Sequence, residues 1–201
     1  MKRRLVLAGT ITAATLATLV VPVAHYAVWN VTASVPTGLY AIRGKASLQV
    51  GERVAVDPPP ELARLLAERG YLPTGVPLLK RVAAVSSQRV CRHARSITID
   101  GHIAGEARAA DRFGRPLPAW SGCRTLRRGE LFLMSPNAST SFDGRYIGAL
   151  PMSAVIGRAT PVWTDETGTG ARVWFADPRA ERSPHPTNLT DPNTTNEGDL
   201  S

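Results

Sequence analysis

"NVTASVPTGLYAI", residues 30–42, is the stretch on which the fold and the function both turn. It is small, hydroxylic and broken by Pro36 and Gly38, and it follows a segment long enough to cross a bilayer. Composition alone describes a solvated linker. The same residues also suit a nucleophile held at a membrane surface, and the rest of the chain decides between the two.

Upstream lies "LVLAGTITAATLATLVVPVAHYAV", residues 5–28, without one Asp, Glu, Lys or Arg. As a helix it spans roughly 36 Å at about 1.5 Å per residue, enough for a hydrocarbon core of about 30 Å. The basic "MKRR" before it keeps the short end cytoplasmic and sends the remainder outside. A cleavable signal peptide would have a shorter apolar core and a small-x-small cleavage site, which is not evident near Ala24 or Ala27. The expectation is a retained anchor over residues 1–28, with Tyr26 and Trp29 at its outer interface.

The 201 residues, 43% hydrophobic, suit one domain with extras. From Asp165 onward seven acidic residues and three arginines leave a net of −4, so residues 1–164 carry +12 of the overall +8. That positive body suits an anionic lipid surface. It has no basic helix, interleaved aromatics or zinc pattern, so no nucleic-acid partner is expected. The two cysteines, Cys91 and Cys123, are a disulfide if the body lies in an oxidising compartment, and otherwise two buried thiols. They are too few for a closed zinc site, and no metal or other cofactor is expected.

After residue 28 the pattern is mainly β. "GLYAIRG", "LQVGERVAV", "RRGELFLMSPN" and "MSAVIGRATPVW" read as short strands among Gly and Pro breakers. "VPLLKRVAAVSSQRV" predicts one buried strand. In "RSITIDGHIAG" Ile97 and Ile99 alternate with polar residues before Asp100-Gly101, a two-residue hairpin signal. "ELARLLAERG" predicts one short surface helix ending at Gly70. The acidic, Pro/Asn/Thr-rich end predicts a disordered tail over residues 164–201, leaving 29–163 as the folded domain.

The histidines, at 25, 93, 102 and 185, form no pattern that signals a Ser–His–Asp triad. Only three lysines occur, and Lys80 sits among Leu78, Leu79, Val82 and Ala83. Burial disfavours the ammonium form and lowers a lysine pKa, so a strand lysine turned inward can deprotonate a serine near neutral pH. Turned outward, it is one more solvated cation beside Arg81.

"ASVPTGLY", "LLKRVAAV" and "SFDGRYIGALP", in this order behind one outward-facing anchor, resemble the type I signal peptidases, which use a serine–lysine dyad. The "S-x-P-x-G-L-Y" start and "GRPLPAWSGC" resemble more closely their conjugative-transfer branch, the TraF-type pilin-processing peptidases. The resemblance implies a signal-peptidase-like β catalytic domain facing the periplasm from the inner membrane, with Ser34 as nucleophile and Lys80 as general base. It further implies that Thr32 helps bind the oxyanion, that Ser141 orients the lysine, and that Asp143 and Arg145 brace the site. Its implied partners are a pilin or other exported precursor, the lipid bilayer, and type IV secretion or conjugation components. A housekeeping signal peptidase I is the alternative, disfavoured by the "S-x-P-x-G-L-Y" start and the single anchor. A non-enzymatic assembly factor is disfavoured by the intact Ser34, Lys80 and Asp143.

Overall fold

A computed structural model describes residues 27–45, 47–135 and 138–178. The chain runs through β1 (Ala27–Asn30), β2 (Thr37–Arg43), β3 (Arg53–Val56), the helix α1 (Pro60–Glu68) and β4 (Leu78–Ala84). It then leaves the first sheet for β5 (Arg89–His93), β6 (Ser96–Ile99), β7 (His102–Glu106) and β8 (Gly122–Thr125). It returns with β9 (Glu130–Leu133), the one-turn helix α2 (Gly144–Ile147), β10 (Leu150–Pro151), β11 (Val155–Asp165) and β12 (Val173–Trp174).

The protein is mainly β, as its alternation predicts. The large sheet has the order β1-β2-β11-β3-β4-β9-β10, with β12 paired to β11, and every pairing is antiparallel. The excursion forms a second antiparallel sheet, β7-β6-β5-β8. Val54, Val56, Val82, Leu131, Leu133 and Val155 form a core cluster on the large sheet. Val90 and Ile97 pack with Phe132 and Met134, which joins the two sheets. Each such side chain contributes about 1.5–3 kcal/mol by leaving water.

Asp100 (φ 50°) and Gly101 (φ 85°) make the expected hairpin turn between β6 and β7. The expected helix is α1, with Pro60 in its first turn, where a missing N–H costs nothing. It is less of a surface helix than its charges suggest, because Leu66 is 2% exposed and packs with Leu72, Ala107, Phe142 and Tyr146. The single strand expected from "VPLLKRVAAVSSQRV" is instead β4 and β5. Ser87, at φ 75°, and a Gln88 side chain accepting the Val85 N–H turn the chain from one sheet to the other.

Two expected boundaries move. Residues 1–26 lie outside the described residues, and with them nearly all of the expected anchor. Ala27 and Val28 are not its end, however. They pair with Ala41 and Tyr40 in β1. Among the described residues no helix is long and apolar enough to cross a membrane. The expected tail from residue 164 is corrected over 164–178. Thr164 and Asp165 are buried in β11, and Trp174 stacks on Trp163 with centroids 5.7 Å apart. Acidic composition reads as solvated, but these carboxylates have partners. Asp165 accepts the N–H groups of Gly168 and Gly170, both at 2.7 Å, and Glu166 takes the fully buried Arg53 in two bonds of 3.0 and 2.7 Å. Residues 179–201 lie outside the described residues.

Candidate active site

The loop that carries Ser34 begins where β1 ends. Asn30, 5% exposed, turns its amide into the loop. Its Nδ2 donates to the carbonyls of Thr32 (2.8 Å), Val35 (3.1 Å) and Pro36 (3.0 Å), and its Oδ1 accepts from Thr32 N (3.0 Å) and Thr32 Oγ1 (2.9 Å). One side chain therefore supplies the hydrogen-bonding partners that a tight loop denies its own backbone. Tyr40, fully buried in β2, donates its hydroxyl to Pro36 O at 2.8 Å and ties the far side. Gly38 completes the exit. Its φ is +134°, and a Cβ there would lie 2.2 Å from the Trp163 carbonyl oxygen of β11. The Pro and Gly of the opening stretch thus turn the loop back into the sheet, with Ser34 at its crest.

Lys80 sits in β4 opposite Val54 of β3 and is 4% exposed. Its Nζ lies 2.7 Å from Ser34 Oγ and 2.8 Å from Ser141 Oγ, while Ser141 Oγ lies 3.2 Å from Ser34 Oγ. Burial lowers the Lys80 pKa from 10.5 to about 8. Nearby Asp143 raises it and Arg145 lowers it, both less than burial does. The inward lysine is thus the one present.

Ser141 belongs to "SFDGRY", which wraps the start of α2. The Asp143 carboxylate accepts Arg145 Nε and Nη2, both at 2.9 Å, together with Ser135 N at 3.0 Å and Arg145 N at 3.2 Å. Arg145, 2% exposed, also donates to the carbonyls of Ala138 (2.7 Å) and Ser141 (3.3 Å). A planar fork bonded to both carboxylate oxygens is a stiff element, and here it holds the backbone of Ser141. Gly144 is packed so closely that a Cβ would lie 2.7 Å from the Leu133 carbonyl oxygen and 2.8 Å from the Phe132 ring. Trp120 of "GRPLPAW" donates its indole N–H to Gly144 O at 2.9 Å, so that motif buttresses this one.

Of the residues singled out in the sequence, Ser34, Lys80 and Ser141 meet directly, with Asp143 and Arg145 behind Ser141. Thr32 lines the same cavity, of about 330 Å³, but its hydroxyl faces Asn30. The Ser34 backbone N–H has no acceptor among the described residues. Cys91 and Cys123 are directly paired across β5 and β8 and form a disulfide with Cα atoms 4.0 Å apart, away from the cavity. His93 lies beside them, and its Nε2 is 3.6 Å from Cys123 Sγ. Both sulfurs of that cluster are bonded to each other, so it offers no thiolate pair to a metal. Neither His93 nor His102 lines the cavity. Sequence reasoning missed Asn30. The signal was the pattern Asn-x-Thr at a strand end, where an Asn side chain mimics a turn.

The Ser34 hydroxyl thus lies against a buried amine of lowered pKa, and comparison with known proteins places the chain in a peptidase family. The family model described as "Signal peptidase, peptidase S26" matches residues 1–164, and the chain belongs to that family, in its TraF-type branch. The conjugal transfer protein TraF of Agrobacterium fabrum is 40% identical over 148 residues, 67% of this chain and 81% of that protein. A probable conjugal transfer protein TraF of Sinorhizobium fredii is 37% identical over 145 residues, 67% and 76% of the two chains. A plasmid transfer protein TraF of Escherichia coli is 34% identical over 145 residues, 67% and 81%. Among solved structures, a signal peptidase I of Enterococcus faecalis superposes with a TM-score of 0.35 at 17% identity, covering 57% of this chain and 98% of that one.

Proposed function

We propose that the protein is a membrane-anchored serine endopeptidase in which Ser34 is the nucleophile and Lys80 the general base. Its substrates are exported precursors, a pilin precursor among them, matured for conjugative transfer. The observation that carries the reading is the 2.7 Å contact between Lys80 Nζ and Ser34 Oγ in a buried setting that lowers the lysine to about 8. At pH 7 such a lysine is about one-tenth neutral, against about 0.03% for a lysine left at 10.5. The conjugal and plasmid transfer relatives support a role in conjugative transfer, from which a pilin precursor is proposed.

In this reading neutral Lys80 accepts the Ser34 hydroxyl proton while one of its own N–H groups donates to Ser141. Ser34 Oγ bonds to the scissile carbonyl carbon, and the carbonyl oxygen becomes an oxyanion. The free Ser34 N–H donates to that oxyanion. Thr32 joins it when its hydroxyl rotates away from Asn30. Lys80 returns the proton to the leaving amine as the C–N bond breaks. Water then resolves the acyl-enzyme by hydrolysis, or a substrate amine resolves it to give a new amide. The membrane anchor expected from the sequence would keep the Ser34 loop close to the outer interface, where exported precursors present their cleavage sites. Coexpression of a candidate pilin precursor with wild type, Ser34→Ala and Lys80→Ala tests the assignment. Both variants should leave the precursor full length. Normal maturation in both would overturn it, and product mass separates cyclisation, one water lighter, from cleavage alone.

A further inference from the structure

The cavity beside Ser34 carries more positive charge than the reaction uses. Its apolar wall includes Leu66, Leu78, Leu117 and Phe142, from α1, β4 and the segments around the second sheet. Three charged side chains from the segment after β7 also line it: Arg108, Asp111 and Arg112. The carboxylate is already engaged. Asp111 accepts the Tyr71 hydroxyl, Arg115 Nε at 2.7 Å, and the N–H groups of Phe113 and Arg115, both at 2.9 Å. It therefore balances Arg115 and leaves the other two arginines unbalanced.

Arg108 and Arg112 are exposed, and neither guanidinium has a hydrogen bond or ion pair among the described residues. Arg112 lies over the Phe113 ring at 4.7 Å. Arg108 is held at its backbone, whose N–H donates to the Tyr146 hydroxyl at 3.1 Å, which ties its main chain to the same helix that carries Arg145. Two uncommitted forks on the wall of a cleft that also contains the nucleophile are placed to take a carboxylate from whatever peptide fills it.

We propose that this cleft selects a peptide with an acidic side chain, Glu or Asp, within reach of Arg108 and Arg112, beside an apolar side chain seated on the Leu66–Phe142 wall. The proposal rests on the peptidase reading above and adds a substrate chemistry to it. Apolar burial supplies affinity, and the charge pair selects the register in which the peptide is cut.

The test uses the full chain in detergent and dye-labelled alanine-rich peptides with one leucine. The set carries a Glu, Gln or Lys in turn at each position around a central Ala-Ala bond. Anisotropy on the Ser34→Ala protein reads binding without turnover, and cleavage by the otherwise wild-type protein reads kcat/KM. At one or two positions Glu should bind roughly three- to tenfold more tightly than Gln, with the advantage shrinking as salt rises. In the Arg108→Glu/Arg112→Glu protein that preference should vanish, and Lys should replace Glu as the favoured residue. Equal affinity for Glu and Gln peptides at every position, including no binding of either, overturns the proposal. So does a Glu preference that survives the double substitution. A Glu peptide that binds preferentially yet stays uncut supports the charge selection while counting against the peptidase assignment, so the two failures are distinguishable.

Discussion

Replacing Asn30 by Ala removes the organiser of the Ser34 loop while leaving Ser34 and Lys80 in place. Nδ2 has two protons shared among three carbonyls, and Oδ1 accepts two donors of Thr32, so about four hydrogen bonds are lost. At about 0.5–1.5 kcal/mol net each, with water able to reach the Thr32 side of the loop, the expected cost is about 2–4 kcal/mol. For a domain of this size that lowers Tm by roughly 5–12 °C. Because the loop carries Ser34, the proposed nucleophile, kcat should fall about ten- to a hundredfold with KM nearly unchanged. Asn30→Asp is the sharper probe. It keeps the acceptor toward Thr32 but points a carboxylate at the Val35 and Pro36 carbonyls, so it should cost at least as much as Ala at neutral pH. Thermal melts and steady-state cleavage of a precursor peptide measure both effects. An Asn30→Ala protein with Tm within 2 °C and kcat within about twofold of wild type would refute the reasoning.

The buried pair behind Ser141 behaves differently. Asp143→Asn leaves Arg145 a buried cation short of its partner, so chemical denaturation should show a loss of about 3–5 kcal/mol, and restoring the carboxylate should recover it. Glu166→Gln should destabilise by about 2–4 kcal/mol in the same assay, because Arg53 is fully buried against it; an unchanged midpoint would mean that residues 164–178 are dispensable to the fold. Cys91→Ser with Cys123→Ser removes a link that closes a loop of sequence separation 32. It should cost about 3–4 kcal/mol by melting while leaving kcat/KM within about twofold, since the bridge lies outside the cavity.

What the sequence makes legible here is chemistry carried by spacing. The Asp100-Gly101 turn, the helix α1 and the strands β2, β9 and β11 each follow from local rules, and the structure has them. Ser34, Lys80 and Ser141 were found because three short motifs stand in order, and the fold brings their side chains within 3.2 Å of one another. The features not legible depend on partners distant in sequence. Ala27–Asn30 looks like the end of an apolar helix until β2 pairs with it. Glu166 looks like a solvated acid until Arg53, more than a hundred residues earlier, meets it. Asn30 was passed over because its worth lies in five contacts that exist only when the loop is closed. Arg108 and Arg112 were two among twenty-one arginines until the cavity separated them from the rest.

The central claim is that a lysine, lowered by burial, activates Ser34, and the pH dependence of kcat/KM on a cleaved precursor peptide tests it most directly. Lys80 must be neutral to act, so the rate should climb about tenfold per pH unit below its pKa and level off above about 8. The sign follows from linkage. The folded-state value lies below the unfolded value of 10.5, so the unfolded chain holds more protons between the two, and stability should rise with pH across that same window. Activity should therefore climb up to about pH 8 and then level off, while the Lys80 contribution to stability grows from about pH 8 toward 10.5. A rate that is flat from about pH 6 to 9 would contradict the account.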